Sequence, residues 1–466
     1  MVAHAVAKPA ANLTQSLWTQ NLTREHGFEP LEIEGTLPGE LRGTVFRNGP
    51  GQFEQFGRRY SHPFEADGAV TAVRFEGGKA LGASKLTATA GLADERAAGK
   101  MLYGFSVPWL TRITNGLRGR SKNTANTSVV MWQGRLFALM EAGKPTELDP
   151  RDLATLGETD LDGVITSFFS AHPHRVASRK AIYNFGIEYG RATKLHLYEL
   201  PDVGAARELA AIPLAGPPML HDFIATDTHL VVFLSPVRVV VPRMLLQVGS
   251  MRDMFAWRPE QGTEVICVPI DRPGEVVRFT TAAFYQWHFA NAFDRGTEIV
   301  VDYVRYPTFD TFHQIGAVGQ GELAEPLAEG RAHRAVIDLR ARTLRSEPIH
   351  DTACEFPIVA AGREGREHTV TYAAMDNLRG IARYDAAGTL VRHDVPDTQR
   401  ASEPVFVPRG TAEDDGWLVS LCHDGPSNRA FFAVYDARRI PDGPIARAWF
   451  DHQVPITFHG TFTGTV

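Results

Sequence analysis

Cysteine is scarce: Cys267, Cys354 and Cys422 are the only three in 466 residues, an odd number with no CxxC spacing. That excludes a disulfide-stapled scaffold and a cysteine-built zinc site, and it points to reduced, buried thiols in a reducing compartment. Long apolar runs are missing too. No stretch reaches the ~20 residues a spanning helix needs, and residues 1–20 lack the basic-then-apolar layout of a secretory signal. A cytoplasmic protein is the expectation. Positive charge is not in excess: a net charge of −6 and a pI near 6.3 leave no basic field, so nucleic acid is not an expected partner. Helix-length segments of 3.6-residue period are nearly absent, confined to Leu92 to Lys100 within 88–118 and to 236–256.

Strand-sized text fills most of what remains. Residues 1–30 read as a leader, Ala-rich at first, and residues 31–466 as one domain. Short β-forming runs bounded by Gly, Pro, Asp and Asn recur from Leu31 onward, among them Ala69 to Phe75 before Gly77-Gly78 and a hairpin tipped by Gln133-Gly134. Many strands without long helices leave a pair of β-sandwiches or a propeller.

Histidine helps to choose. Of 17 histidines, four sit among apolar or small neighbours: His172 in Ser170-Ala171-His172-Pro173, His221 in Met219-Leu220-His221-Asp222-Phe223, His288 in Trp287-His288-Phe289, and His459 in Phe458-His459-Gly460. Their gaps are 49, 67 and 171 residues (172 to 221, 221 to 288, 288 to 459). A four-stranded propeller blade with its loops takes roughly 40–65 residues, so each gap is close to a whole number of blades. The length then suggests an all-β fold of seven blades, with the four imidazoles facing one axis and one metal ion. One such histidine alone is more often a satisfied core residue. A neutral four-imidazole shell suits Zn, Cu, Fe or Ni, and it needs carboxylates behind the rings to balance a dipositive ion. Glu141, Glu355 and Glu403 stand in apolar strand contexts where a surface acid makes little sense, and they are the candidates.

With these residues in view the sequence resembles the carotenoid cleavage oxygenase family, from about Leu31 to Gly460. The resemblance rests on the order of several segments: Phe46-Arg47-Asn48-Gly49-Pro50-Gly51, His62-Pro63-Phe64-Glu65-Ala66-Asp67-Gly68, Ala125-Asn126-Thr127, the four histidine segments, Cys354-Glu355-Phe356-Pro357, Glu403-Pro404-Val405-Phe406, and Glu413-Asp414-Asp415-Gly416-Trp417. It implies a seven-bladed β-propeller with a loop and helix cap, and one Fe(II) held by His172, His221, His288 and His459. It also implies orienting roles for Glu141, Glu355 and Glu403, and Thr127 beside the open coordination site. The implied reaction is cleavage of a conjugated C=C bond by O2 into two carbonyl products, and the N-terminal half looks most like the bacterial apocarotenoid oxygenases that form retinal-type products.

A polyene substrate needs an apolar tunnel, for which Phe64, Phe105, Trp109, Met140, Trp287, Phe289 and Phe356 are the expected lining. The apolar stretch 237–257, with two arginines near its start, suggests peripheral contact with a membrane surface. Stilbene and phenylpropanoid cleavers are the rival within the family. They typically carry a Lys and a Tyr where this chain has Met140 and, by a looser alignment, Ser106. A non-catalytic polyene-binding propeller is a second rival, and a metal-dependent hydrolase, which would want carboxylate ligands, is a third.

Overall fold

The computed structural model describes residues 13–320, 322 and 328–464. Ser128–Trp132 and Arg135–Leu139 are β-branched and aromatic runs joined at Gln133-Gly134, both at positive φ (50° and 77°), the turn whose twist suits an antiparallel pair. Gly77 and Gly78 do the same between Asp67–Glu76 and Lys79–Leu86.

The chain lays down antiparallel sheets one after another. Ser128–Trp132, Arg135–Leu139, Thr146–Leu148 and Thr155–Glu158 make one; His174–Val176, Ala181–Glu188, Lys194–Pro201 and Arg207–Pro213 make the next. Ile224–Ala225, His229–Leu234, Thr263–Pro269 and Val277–Thr281 follow. Seven strands then form one extended sheet from Tyr285–Arg295 to Leu390–Asp394. At its centre the 17-residue strand Thr343–Val359 pairs first with Arg331–Asp338 and then, past a register shift, with Thr371–Met375. Outermost strands such as Arg207–Pro213 are largely exposed, whereas the middle strands are buried along nearly their whole length.

The core lies between sheets. In Thr263–Pro269, Ile266 and Val268 pack back against Leu195, Leu197 and Phe223, while Val265 and Cys267 pack forward against Phe284, Phe289 and Ile299. Period-2 alternation therefore survives as a choice between two apolar neighbours, which is why these strands read as continuous hydrophobic runs. Each large side chain buried this way contributes roughly 1.5–3 kcal/mol.

Both ends of the chain are stitched into sheets made by the other end. Glu32–Gly35 pairs with Ala446–Trp449, and His459–Thr463 pairs with Gly43–Gln52, setting His459 opposite Asn48. Residues 1–12 of the expected leader lie outside the described residues. Further along it, Leu17 packs on Phe53, Tyr60 and Met101, and His26–Pro30 is a strand on the edge of Lys79–Leu86. Ala90–Ala98 is a helix, capped by the Thr89 side chain and ended by Gly99 at φ 60°. The 236–256 stretch holds the short helix Val241–Leu246 and the 3-10 turn Met251–Met254, between the paired strands Val237–Val239 and Phe255–Trp257. No helix among the described residues is long and apolar enough to cross a membrane.

Candidate metal centre

Each of the four histidines lies at or near the start of a strand. His172 stands two residues before His174–Val176, His221 three before Ile224–Ala225, His288 inside Tyr285–Arg295, and His459 at the head of His459–Thr463. The structure brings them together. Ring nitrogens of His172, His221 and His288 lie within 4.8 Å of one another. The His459 ring is 4.8 Å from that of His172 and 4.7 Å from that of His288.

Carboxylates flank the rings. His288 Nδ1 is 2.5 Å from Glu355 Oε2, and His459 Nδ1 is 2.8 Å from Glu403 Oε1. Glu141 Oε1 lies 3.0 Å from His221 Nδ1 and 3.3 Å from His172 Nε2, close enough for charge attraction but not aligned as a hydrogen bond. Phe356 stacks on the His288 ring, and Trp287 meets His221 edge-on. Phe356 itself takes φ 54°, an unusual conformation for a large side chain, beside Glu355, whose carboxylate accepts its backbone N–H at 2.7 Å.

The donor set fits a metal. His288, its Nδ1 proton given to Glu355, and His221, whose Nδ1 proton is drawn toward the Glu141 carboxylate 3.0 Å away, turn bare Nε2 atoms toward each other at 3.4 Å, and His172 Nε2 is buried without a hydrogen-bond partner. Lone pairs facing at that distance repel unless a cation lies between them. Two nitrogens bound about 2.1 Å from one ion lie roughly 3.0–3.4 Å apart, depending on the angle. Burial pushes the His221 imidazole down to about 4 and His459 well below its ordinary value. Both are therefore neutral at pH 7, the ligand form.

Sequence reasoning missed the group that holds this arrangement from behind. Arg47 is completely buried; it pairs with Glu403 Oε2 and donates to Phe458 O at 2.7 Å and Thr457 Oγ1 at 3.2 Å. It thus grips both the acid behind His459 and the backbone that delivers that ring. A charged residue amid Val45-Phe46 in a strand was the available signal. Tyr306 donates to Glu355 Oε1 at 2.7 Å. Asp222 accepts from the Phe223 and Phe289 backbones at 2.8 and 3.0 Å and lies 2.7 Å from His174 Nε2. Neither had stood out.

A cavity of about 300 Å³ opens on one side of the cluster, lined mainly by apolar groups with Asn126 and Thr127 beside the imidazoles. The Thr127 hydroxyl donates to Asn126 Oδ1 at 3.1 Å. Phe64, Met140, Trp287 and Phe356 line this cavity; Trp18, Tyr189, Tyr306 and Phe458 do so without having been expected. Three expected lining residues are elsewhere. Phe289 packs against Phe233 and Tyr303 between sheets, because register shifts on either side of it break the strand's alternation. Phe105 lies in the capping loops, its backbone N–H held by Glu65 and its ring below Arg112. Trp109 is 48% exposed, with Nε1 donating to Leu246 O at 2.9 Å.

Residues 19–464 match the family described as retinal pigment epithelial membrane protein. The chain is 32% identical to the apocarotenoid-15,15'-oxygenase of Synechocystis sp. over 96% of its own length and 95% of that relative's. It is 28% identical to an isoeugenol monooxygenase of Pseudomonas nitroreducens, over 92% and 93%. Among solved structures, cobalt-substituted Synechocystis ACO superposes with a TM-score of 0.87 at 30% identity, covering 97% of this chain and 98% of that one.

Proposed function

This chain belongs to the retinal pigment epithelial membrane protein family, and from that membership we propose that it is an Fe(II)-dependent oxygenase cleaving a conjugated C=C bond of an apocarotenoid to aldehyde products. The observation that carries this reading is the convergence of His172, His221, His288 and His459 at the end of an apolar cavity. Those four imidazoles would hold the ion; bound there, it supplies the activation of O2 for splitting the double bond.

The protein's own part is positioning. Glu141, Glu355 and Glu403 keep the rings aimed inward, and their negative charge offsets that of a divalent ion. Trp287, Phe64 and Phe356 form flat walls that keep an extended polyene straight and exclude water. Thr127 leaves room beside the cluster with a short side chain whose hydroxyl is already engaged by Asn126.

We read the successive sheets as seven blades of one propeller spanning residues 31–466. In that reading the seven-stranded sheet is two blades sharing Thr343–Val359, and the two end-to-end pairings close the ring. The helices Trp109–Leu117 and Val241–Leu246 belong to its cap. They expose Trp109, Leu110, Leu117, Leu245 and Leu246, and they are tied together by Trp109 Nε1 on Leu246 O and Arg112 on Gly249 O. Met251 and Phe255, further along the second segment, line the cavity. We propose that this patch rests on a membrane surface and takes up apolar substrate from it.

Among the described residues the cavity lining holds no lysine or arginine to bind a phenolate, which favours a polyene over a hydroxystilbene or isoeugenol. The test is the purified protein with Fe(II) and O2, given apocarotenals, isoeugenol and hydroxystilbenes side by side, with products read by mass. Aldehydes from the apocarotenals are the expected result; turnover of the phenols alone overturns it.

A further inference from the structure

A second cavity, of about 510 Å³, lies against the same imidazole cluster and is lined by a different set of residues. His288, Phe356 and His459 border both spaces, but among the lining residues His172, Asp222 and Glu403 belong only to the second. Its lining is mixed where the first is mainly apolar. Arg175, Ala361 and Glu364 belong to it, and the first two are exposed, so it opens to solvent there. Behind that mouth lies the His174–Asp222 pair, with Asp222 only 1% exposed, and then the imidazoles.

We propose that this polar cavity is the passage by which a hydrated divalent cation reaches the four imidazoles of the folded protein. The inference rests on the metal reading above and adds a route to it. A dipositive aqua ion does not cross the apolar cavity, because an ion stripped of water in an apolar medium loses its solvation with nothing in return. Along the polar side it meets carboxylates in succession. Glu364 is at the mouth, where the Arg175 guanidinium is already held by Asp202 at 2.7 and 2.8 Å. Asp222 follows, accepting backbone N–H groups of Phe223 and Phe289 and lying 2.7 Å from His174 Nε2. The last element is His172 Nε2, buried and without a hydrogen-bond partner. Substrate and metal then approach the centre from separate sides, so an apolar guest does not block loading.

The test is stopped-flow uptake of Co(II) by the folded, metal-free full chain, followed through the absorption of the bound ion. The variants are Ala361→Trp and Glu364→Gln, both at the mouth and away from the ligands. A group that alters only a passage changes arrival and departure equally, so Ala361→Trp slows uptake and chelator-driven loss by one common factor, about fivefold or more, with equilibrium affinity unchanged. Glu364→Gln slows uptake about threefold at low salt, and the difference disappears near 1 M, where screening acts within about 3 Å. Filling the apolar cavity with a dodecyl-chain detergent leaves the rate alone. Normal uptake in both variants overturns the proposal, as does slowing by the detergent. A wild-type protein that gains cobalt only when refolded with it also overturns the route while sparing the metal reading; no cobalt bound under any condition removes that reading itself.

Discussion

Replacing Arg47 by methionine separates what holds this protein together from what holds its metal. The guanidinium is fully buried and answers Glu403, Phe458 O and Thr457 Oγ1 at once. Methionine fills much of the space but leaves the Glu403 carboxylate buried with only its His459 and Gly460 donors, at 2.8 and 2.9 Å. Stranding one partner of a buried pair costs about 3–5 kcal/mol. An unfolding entropy of about 2.1 cal/mol/K per residue gives roughly 1 kcal/mol per kelvin for a chain of this length, so the metal-free melting temperature falls by about 3–5 °C. Arg47→Met with Glu403→Gln removes both charges and keeps an acceptor for His459 Nδ1. That double variant regains more than half of the lost stability, while its metal affinity drops about 10–100-fold because the ring has lost its carboxylate. Calorimetry of the metal-free proteins reads the first quantity and chelator competition the second. A double variant as unstable as the two single losses added together refutes the coupling, and an unchanged melting temperature for Arg47→Met refutes the buried pair.

Burial pushes the His62 imidazole down to about 3 and His423 to about 4, against about 6.5 in an unfolded chain. The unfolded state therefore binds the extra protons, and the stability tied to these neutral rings is complete above pH 6.5 and lost as pH falls toward 4. The metal-free melting temperature should drop across that window, and His62→Asn should flatten the drop; a flat profile in the parent protein contradicts it. Leu245→Glu with Leu246→Glu should fold normally and lose sedimentation with liposomes, and undiminished binding removes the membrane patch. Tyr306→Phe takes one donor from Glu355 and should weaken metal binding by less than tenfold, with folding intact; an effect as large as removing Glu355 itself would show that the hydroxyl does more than orient.

Much of this was legible in the residues. The Gln133-Gly134 and Gly77-Gly78 turns announce themselves because only certain residues take positive φ, and Thr89 with Gly99 brackets the helix Ala90–Ala98 in the same local way. The four histidines could be picked out because an imidazole among apolar neighbours is conspicuous. What could not be read depends on contacts distant in sequence. Arg47 is ordinary until Glu403 and Phe458 arrive beside it, and Trp287 and Phe289 look interchangeable until a register shift sends one into the cavity and the other between sheets. Trp109 was misjudged for a related reason: an aromatic beside the substrate space and one on the outer surface have the same local sequence signature.

The pairing of His459–Thr463 with Gly43–Gln52 also bears on quality control. A molecule clipped or left unfinished upstream of His459 fails twice, since it lacks an imidazole and leaves the edge of Gly43–Gln52 bare. Unpaired edges of that kind recruit chaperones, proteases or other chains. A damaged copy is thus open to surveillance as well as inert.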